Sequence, residues 1–194
     1  MQTSLRRLLD QGPAAAPALG APGRKDLTHG ELRALADRTL AALNSMGIGR
    51  NDRLAIVLHN GPEMAACFVA AACGVATAPL NPAYRADEFE FYLTDLQAKA
   101  LVVEVGSTSP AVEVAQRLGV PLIELVPDAH LGAGSFSLRC AEPPGTAARL
   151  PGLAEPGDVS MVLHTSGTTS RPKIVPLSQA NLCASAQLIA RTLA

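Results

Sequence analysis

Tryptophan is absent from all 194 residues, and the only aromatics are four phenylalanines and two tyrosines. A core without large rings must be filled by Ala, Val, Leu and Ile, which suits helices packed closely on a sheet. No apolar run approaches the roughly 20 residues a helix needs to cross a bilayer, so no membrane span is expected. Charge of one sign is also scarce. The 16 Lys and Arg against 17 Asp and Glu give a net charge of -1, with no long basic run, so the footprint of a nucleic-acid binder is missing. The four cysteines, Cys67, Cys73, Cys140 and Cys183, form no C-x-x-C pair, and no His stands at metal-ligand spacing. They are expected to be reduced, mostly buried thiols, with no bound metal. Arg6 and Arg7 have no apolar signal core behind them. That segment reads as a short amphipathic helix, with a cleaved organelle-targeting peptide as the alternative and the cytoplasm as the expected location.

What is present is patterned. Thr28 with Glu31 predicts a capping box, and Leu32, Leu35, Ala36, Leu40 and Leu43 continue it at helical spacing. Leu54–Leu58 is a continuous apolar strand, and Asn60-Gly61-Pro62 opens an apolar helix that Gly74 stops. Val75–Leu80, Leu101–Val105 and Leu122–Val126 are further strands. Asp87 and Glu88 begin one intervening helix, where the macrodipole favours acids, and Ala111–Leu118 forms another. Strand alternating with helix predicts an α/β fold, a largely parallel sheet with helices on both faces. Residues 1–127 read as one α/β subdomain. Residues 128–157, rich in Gly, Ala and Pro, read as an irregular connection with a short strand near Phe136–Leu138. Residues 158–194 read as a strand at Val159–His164, a polar loop, an extended segment at Val175–Leu177, and a last helix capped by Ser178 from Gln179 onward.

Residues 165–173, TSGTTSRPK, carry the chemistry. Five of them are hydroxyl side chains, Gly167 lets backbone approach a ligand, and hydroxyls and free N–H groups donate well to phosphate oxygens. Lys173 adds a mobile positive charge. The pattern is not G-x-x-x-x-G-K-[ST], because no second glycine precedes the lysine and no Ser or Thr follows it. On composition alone, a solvated Ser/Thr loop with an incidental lysine stands as the plain alternative. His164 reads either as a structural residue at a strand end or as a phosphate contact, and Arg171 as solvated or phosphate-bound. Asn81 and Tyr84 read as ordering a turn, and His59 and Asn60 as a strand exit and a helix cap.

The run TSGTTSRPK resembles the phosphate-binding signature of the adenylate-forming superfamily, [ST]-S-G-[ST]-T-G-x-P-K-G, shared by acyl-CoA synthetases, luciferases and peptide-synthetase adenylation domains. Leu27–Glu104 is similar to the start of the same domain, and Pro79–Tyr84, PLNPAY, to a segment of its acyl-CoA branch. LNPAY followed by Glu88–Leu93, together with HTSGTTSRP and Pro176-Leu177-Ser178-Gln179, resembles the oxalate–CoA ligase subgroup. Ser170 and Gln179 fit that subgroup, whereas Ile174 stands where a glycine is expected and should stiffen the loop's exit.

The resemblance implies ATP, Mg2+ and CoA as cofactors and a carboxylic acid as substrate, joined through an acyl-adenylate. It implies that Thr165, Ser166, Gly167, Thr168, Thr169 and Lys173 hold the β- and γ-phosphates, with Ser170, His164 and Arg171 as additional candidates. The family's adenine pocket, metal-binding acid and adenylation lysine fall later in its chain. These 194 residues are therefore expected to be an N-terminal portion, without catalytic activity by themselves. The competing expectation is a non-catalytic ligand-binding or interaction module that kept half of the fold. Association through exposed apolar surface into a homo-oligomer is left open.

Overall fold

A capping box starts the first long helix. Thr28 Oγ1 accepts from the Glu31 N–H at 3.2 Å, while Glu31 Oε2 accepts from the Thr28 N–H at 2.8 Å. The helix it opens is α2 (His29–Ser45), whose buried residues Leu32, Leu35, Ala36, Leu40 and Leu43 are those the periodicity predicts. The computed structural model describes residues 4–141, 146–165 and 172–193. Before α2 lie α1 (Leu5–Leu9) and a small antiparallel pair, β1 (Pro17–Leu19) with β2 (Leu27–Thr28). After it come β3 (Arg53–Val57), α3 (Pro62–Ala72), β4 (Ala76–Pro79), α4 (Ala86–Asp95), β5 (Ala100–Glu104) and α5 (Pro110–Leu118). Then follow β6 (Leu122–Pro127), β7 (Phe136–Arg139), β8 (Val159–Thr165), β9 (Lys173–Ser178) and α6 (Gln179–Leu193).

Seven strands form one sheet in the order β7-β6-β5-β3-β4-β8-β9. The five inner strands are parallel, and β7 and β9 join antiparallel at the two edges. The alternating strand–helix pattern therefore gives the parallel sheet it predicts. Strands from both 1–127 and 158–193 enter that single sheet, and the short strand expected near Phe136 is its β7 edge.

Side-chain alternation divides the core into two layers. Leu54 and Ile56 of β3, Val102 of β5 and Ile123 and Leu125 of β6 face α2 and α3. Ala55 and Val57 of β3, Ala76 and Ala78 of β4 and Leu101 and Val103 of β5 face the other way, toward Phe89, Leu93 and Leu96 around α4 and Ala111, Val114 and Ala115 of α5. Burial on both faces explains why these strands read as continuous apolar runs. Burial also pushes the Cys67 and Cys73 thiols up to about 12, so both are inert, protonated core residues.

Two expectations are corrected. Asn60 does not cap α3: its N-cap is Gly61, with no side-chain cap bond, and Pro62 fills the first turn where an N–H has no partner to lose. The polar loop is shorter than 165–173, because Thr165 closes β8 and Lys173 opens β9.

Candidate functional site

In a parallel sheet the carboxyl ends of the strands share one edge, where open α/β sheets bind ligands. Here β8, β4, β3 and β5 send the segments after Thr165, Pro79, Val57 and Glu104 out from that edge. Thr165 pairs with Lys173 as the last rung of the β8–β9 ladder. Both are exposed, and directly opposed residues of such a pair hold their Cβ atoms about 5 Å apart. A hydroxyl-bearing and an ammonium-bearing side chain thus leave the same rung where the chain leaves and re-enters the sheet. Ser166, Gly167, Thr168, Thr169, Ser170 and Arg171 lie outside the described residues.

One rung deeper, His164 pairs with Ile174. The His164 side chain is only 6% exposed and its Nε2–H donates to Asp95 Oδ2 at 3.0 Å. Its ring meets Tyr92 edge-on at 4.7 Å between centroids and Phe91 at 6.4 Å, and Tyr92 in turn stacks on Tyr84 at 4.8 Å. The structural reading of His164 therefore has its partners among the described residues, all of them on α4. Asn81 and Tyr84 order a turn as expected: Asn81 Oδ1 accepts from the Ala83 N–H at 3.0 Å, and the Asn81 carbonyl accepts from the Tyr84 N–H at 3.1 Å.

Below the ladder, Gln179 does what its place at a helix start could not reveal. It is wholly buried, donates to the Ala72 carbonyl at 2.6 Å and to Ser160 Oγ at 3.0 Å, and accepts from the Leu5 N–H at 2.9 Å. A second lateral tie sets the start of β8. Asp158 accepts from Arg50 Nε at 2.6 Å, Asn51 Nδ2 at 2.8 Å and the Glu155 N–H at 2.7 Å. Burial alone would raise the Asp158 carboxyl, but these donors outweigh it and hold the group below the ordinary carboxylate value.

A family model described as AMP-binding enzyme matches residues 6–193. This chain belongs to the AMP-binding enzyme family. It is 41% identical over 176 residues to an oxalate–CoA ligase of Arabidopsis thaliana, a match covering 89% of this chain and 34% of the plant protein. It is 37% identical over 164 residues to an oxalate–CoA ligase of Saccharomyces cerevisiae, covering 74% of this chain and 30% of that protein. Among solved structures, apo MatB from Rhodopseudomonas palustris superposes with a TM-score of 0.74 at 23% identity, over 96% of this chain and 37% of that one. That likeness establishes the fold. The chain spans about a third of the length of these relatives.

The chain also has a crevice that the sequence did not signal. It has a volume of 360 Å³ and is lined by Val57, His59, Pro82, Glu104, Ser107 and Ser109 among others. It opens where β3 and β5 part. At that point the chain's crossovers reverse direction, which is the position the fold reserves for ligands. Strand spacing puts it about 12 Å from β8 along the same edge. Only the strand order, which periodicity does not encode, could have located it. Among the described residues no three His, Cys, Asp or Glu side chains converge as metal ligands.

Proposed function

We propose that these 194 residues are the first part of an ATP-dependent, AMP-forming acid–CoA ligase and that residues 165–173 grip the β- and γ-phosphates of ATP. The observation that carries this reading is the Thr165–Lys173 rung at the carboxyl edge of the sheet, which brings a hydroxyl donor and a cation together at both ends of the motif. In the same proposal, residues 1–127 form an α/β subdomain, 128–157 a connection, and 158–194 the strand, phosphate segment and helix. Thr165, Ser166, Gly167, Thr168, Thr169 and Lys173 are the phosphate contacts, with Ser170 and Arg171 beside them.

In the whole enzyme, a substrate carboxylate oxygen attacks the α-phosphorus of ATP. The bond to the bridging oxygen breaks, and pyrophosphate leaves with the electron pair. The sulfur of CoA, having lost its proton, then attacks the acyl carbon and AMP departs. The contribution of this part is positioning and charge stabilisation of the leaving pyrophosphate, not proton transfer. The relatives that are oxalate–CoA ligases, at 41% and 37% identity, support a small dicarboxylic acid as substrate.

Calorimetry with pyrophosphate tests the reading on the 194-residue chain. Loss of one charge-assisted contact costs about 1.5–3 kcal/mol, so Lys173→Ala should weaken binding roughly ten- to a hundredfold. The same chain should release no pyrophosphate from ATP and oxalate. A wild-type chain that does not bind pyrophosphate would sink the proposal in favour of an interaction module.

A further inference from the structure

An acidic residue closes α4 at the end where a helix repels it. Asp95 is the last residue of α4, there is no basic residue in that turn, and the C-terminal end of a helix carries partial negative charge. Among the described residues, its only ionisable contact is His164, 69 positions away on β8. His164 is held by α4 from three sides: Asp95 at its Nε2, Tyr92 against its ring, and Phe91 beyond. Across the ladder His164 faces Ile174, which packs against the same apolar layer as Tyr84 and Tyr92. The helix therefore secures β8, and the apolar layer beneath Ile174 backs β9, at the rung immediately below Thr165 and Lys173. The fixing matters because β9 is the edge of the sheet and, among the described residues, has only β8 as a ladder partner.

We propose that Asp95 is a positioning residue: by holding His164 against α4 it keeps the Thr165–Lys173 rung closed and so sets the affinity of this edge for a polyphosphate. It touches no phosphate itself. The affinity part of this inference rests on the phosphate reading above; the part about the rung does not.

Asp95→Ala, His164→Ala, the double variant and Asp95→Asn separate the possibilities when each chain is examined three ways. These are pyrophosphate calorimetry, amide hydrogen exchange at Thr165 and Lys173, and urea unfolding. Each alanine variant should weaken pyrophosphate binding about three- to tenfold, the span of a single net hydrogen bond. Each should speed exchange at the two amides by a similar factor, while amides of β3 and β5 and the urea midpoint hardly move. The double variant should be no worse than either single one, because the pair acts as a unit. Asp95→Asn, which keeps an acceptor for the imidazole, should restore most of the loss. Unchanged exchange in Asp95→Ala overturns the proposal, as do single effects that multiply in the double variant. Faster exchange with unchanged affinity refutes the positioning role. Should the wild-type chain fail to bind pyrophosphate, the phosphate reading falls and the exchange data alone decide whether Asp95 holds the rung.

Discussion

Replacing Gln179 by methionine isolates what a buried amide contributes, because the two side chains are nearly isosteric and no cavity is created. Gln179 is wholly buried and joins three elements. Its amide donates to the carbonyl of Ala72, the last residue of α3 and one of the helix-end acceptors with no partner inside the helix. It also donates to Ser160 Oγ and accepts from the Leu5 N–H at the start of α1. In Gln179→Met the Leu5 N–H loses its acceptor, at about 1–2 kcal/mol for a partly buried donor. The Ala72 carbonyl keeps a weaker bond from Ser160 Oγ at 3.3 Å, so its loss is about 0.5–1 kcal/mol. The sum is about 2 kcal/mol, which for a chain of this size lowers Tm by roughly 4–8 °C. Urea unfolding followed by circular dichroism should show the midpoint falling with no change in slope. Gln179→Glu should be worse at neutral pH, because an oxygen would face the Ala72 carbonyl where an N–H now points, and it should recover as acid protonates the buried carboxyl. A Met variant within about 0.5 kcal/mol of wild type would show that packing, not hydrogen-bond satisfaction, holds this junction.

Asp158→Ala removes the acceptor for Asn51 Nδ2 and for the Glu155 N–H, at about 1 kcal/mol each. Because the folded carboxyl titrates below its unfolded value, that stability is complete above about pH 4 and fades as the pH drops below it. The difference between wild type and variant, measured by urea unfolding, should therefore shrink between pH 7 and pH 3; a constant difference would contradict the assignment. Gly134 has φ +82°, and a Cβ there would lie 2.6 Å from the Pro62 carbonyl oxygen. Gly134→Ala should cost at least about 2 kcal/mol in thermal unfolding. Gly106→Ala, at a similar φ of +72° but with open space around it, should cost about 1 kcal/mol. Equal losses at the two positions would show that the close approach to Pro62 is unimportant.

The layered fold was legible because burial on two faces writes itself into the sequence as unbroken apolar strands, and α2 announces its start through Thr28 and Glu31. The β1–β2 pair was not. Pro17–Leu19 and Leu27–Thr28 have too few residues to show alternation, and Thr28 serves both as a strand partner and as the N-cap of α2. Strand order was equally hidden, since it depends on which side each crossover takes, and with it the crevice between β3 and β5. The motif at 165–173 was legible in composition, but its boundaries were not: Thr165 and Lys173 look like loop residues and become ladder residues because each finds the other's backbone. The Asp95–His164 contact had one sequence signal, an acid at the C-terminal end of an amphipathic helix, against the dipole's preference. The burial of Gln179 had none, because a polar residue after Ser178 reads as an ordinary first helical turn.

Ile174 shows how a departure from a family pattern can be absorbed by structure. In a tight turn, a β-branched side chain in place of glycine would strain the backbone. In this chain the position is extended, in β9 opposite His164, where β-branched residues are at home. Its side chain packs against the layer that contains Tyr84 and Tyr92, and the ring of Tyr92 meets His164. Thr165 is thus backed on the β8 side by the His164–Asp95 hydrogen bond and Lys173 on the β9 side by the apolar contact of Ile174. A glycine at 174 would leave only the first of these. Ends fixed in advance reduce the ordering cost of gripping a phosphate, but they also resist any binding motion that requires β9 to peel from β8. A ligand that binds only after the two strands part must therefore break the Thr165–Lys173 rung.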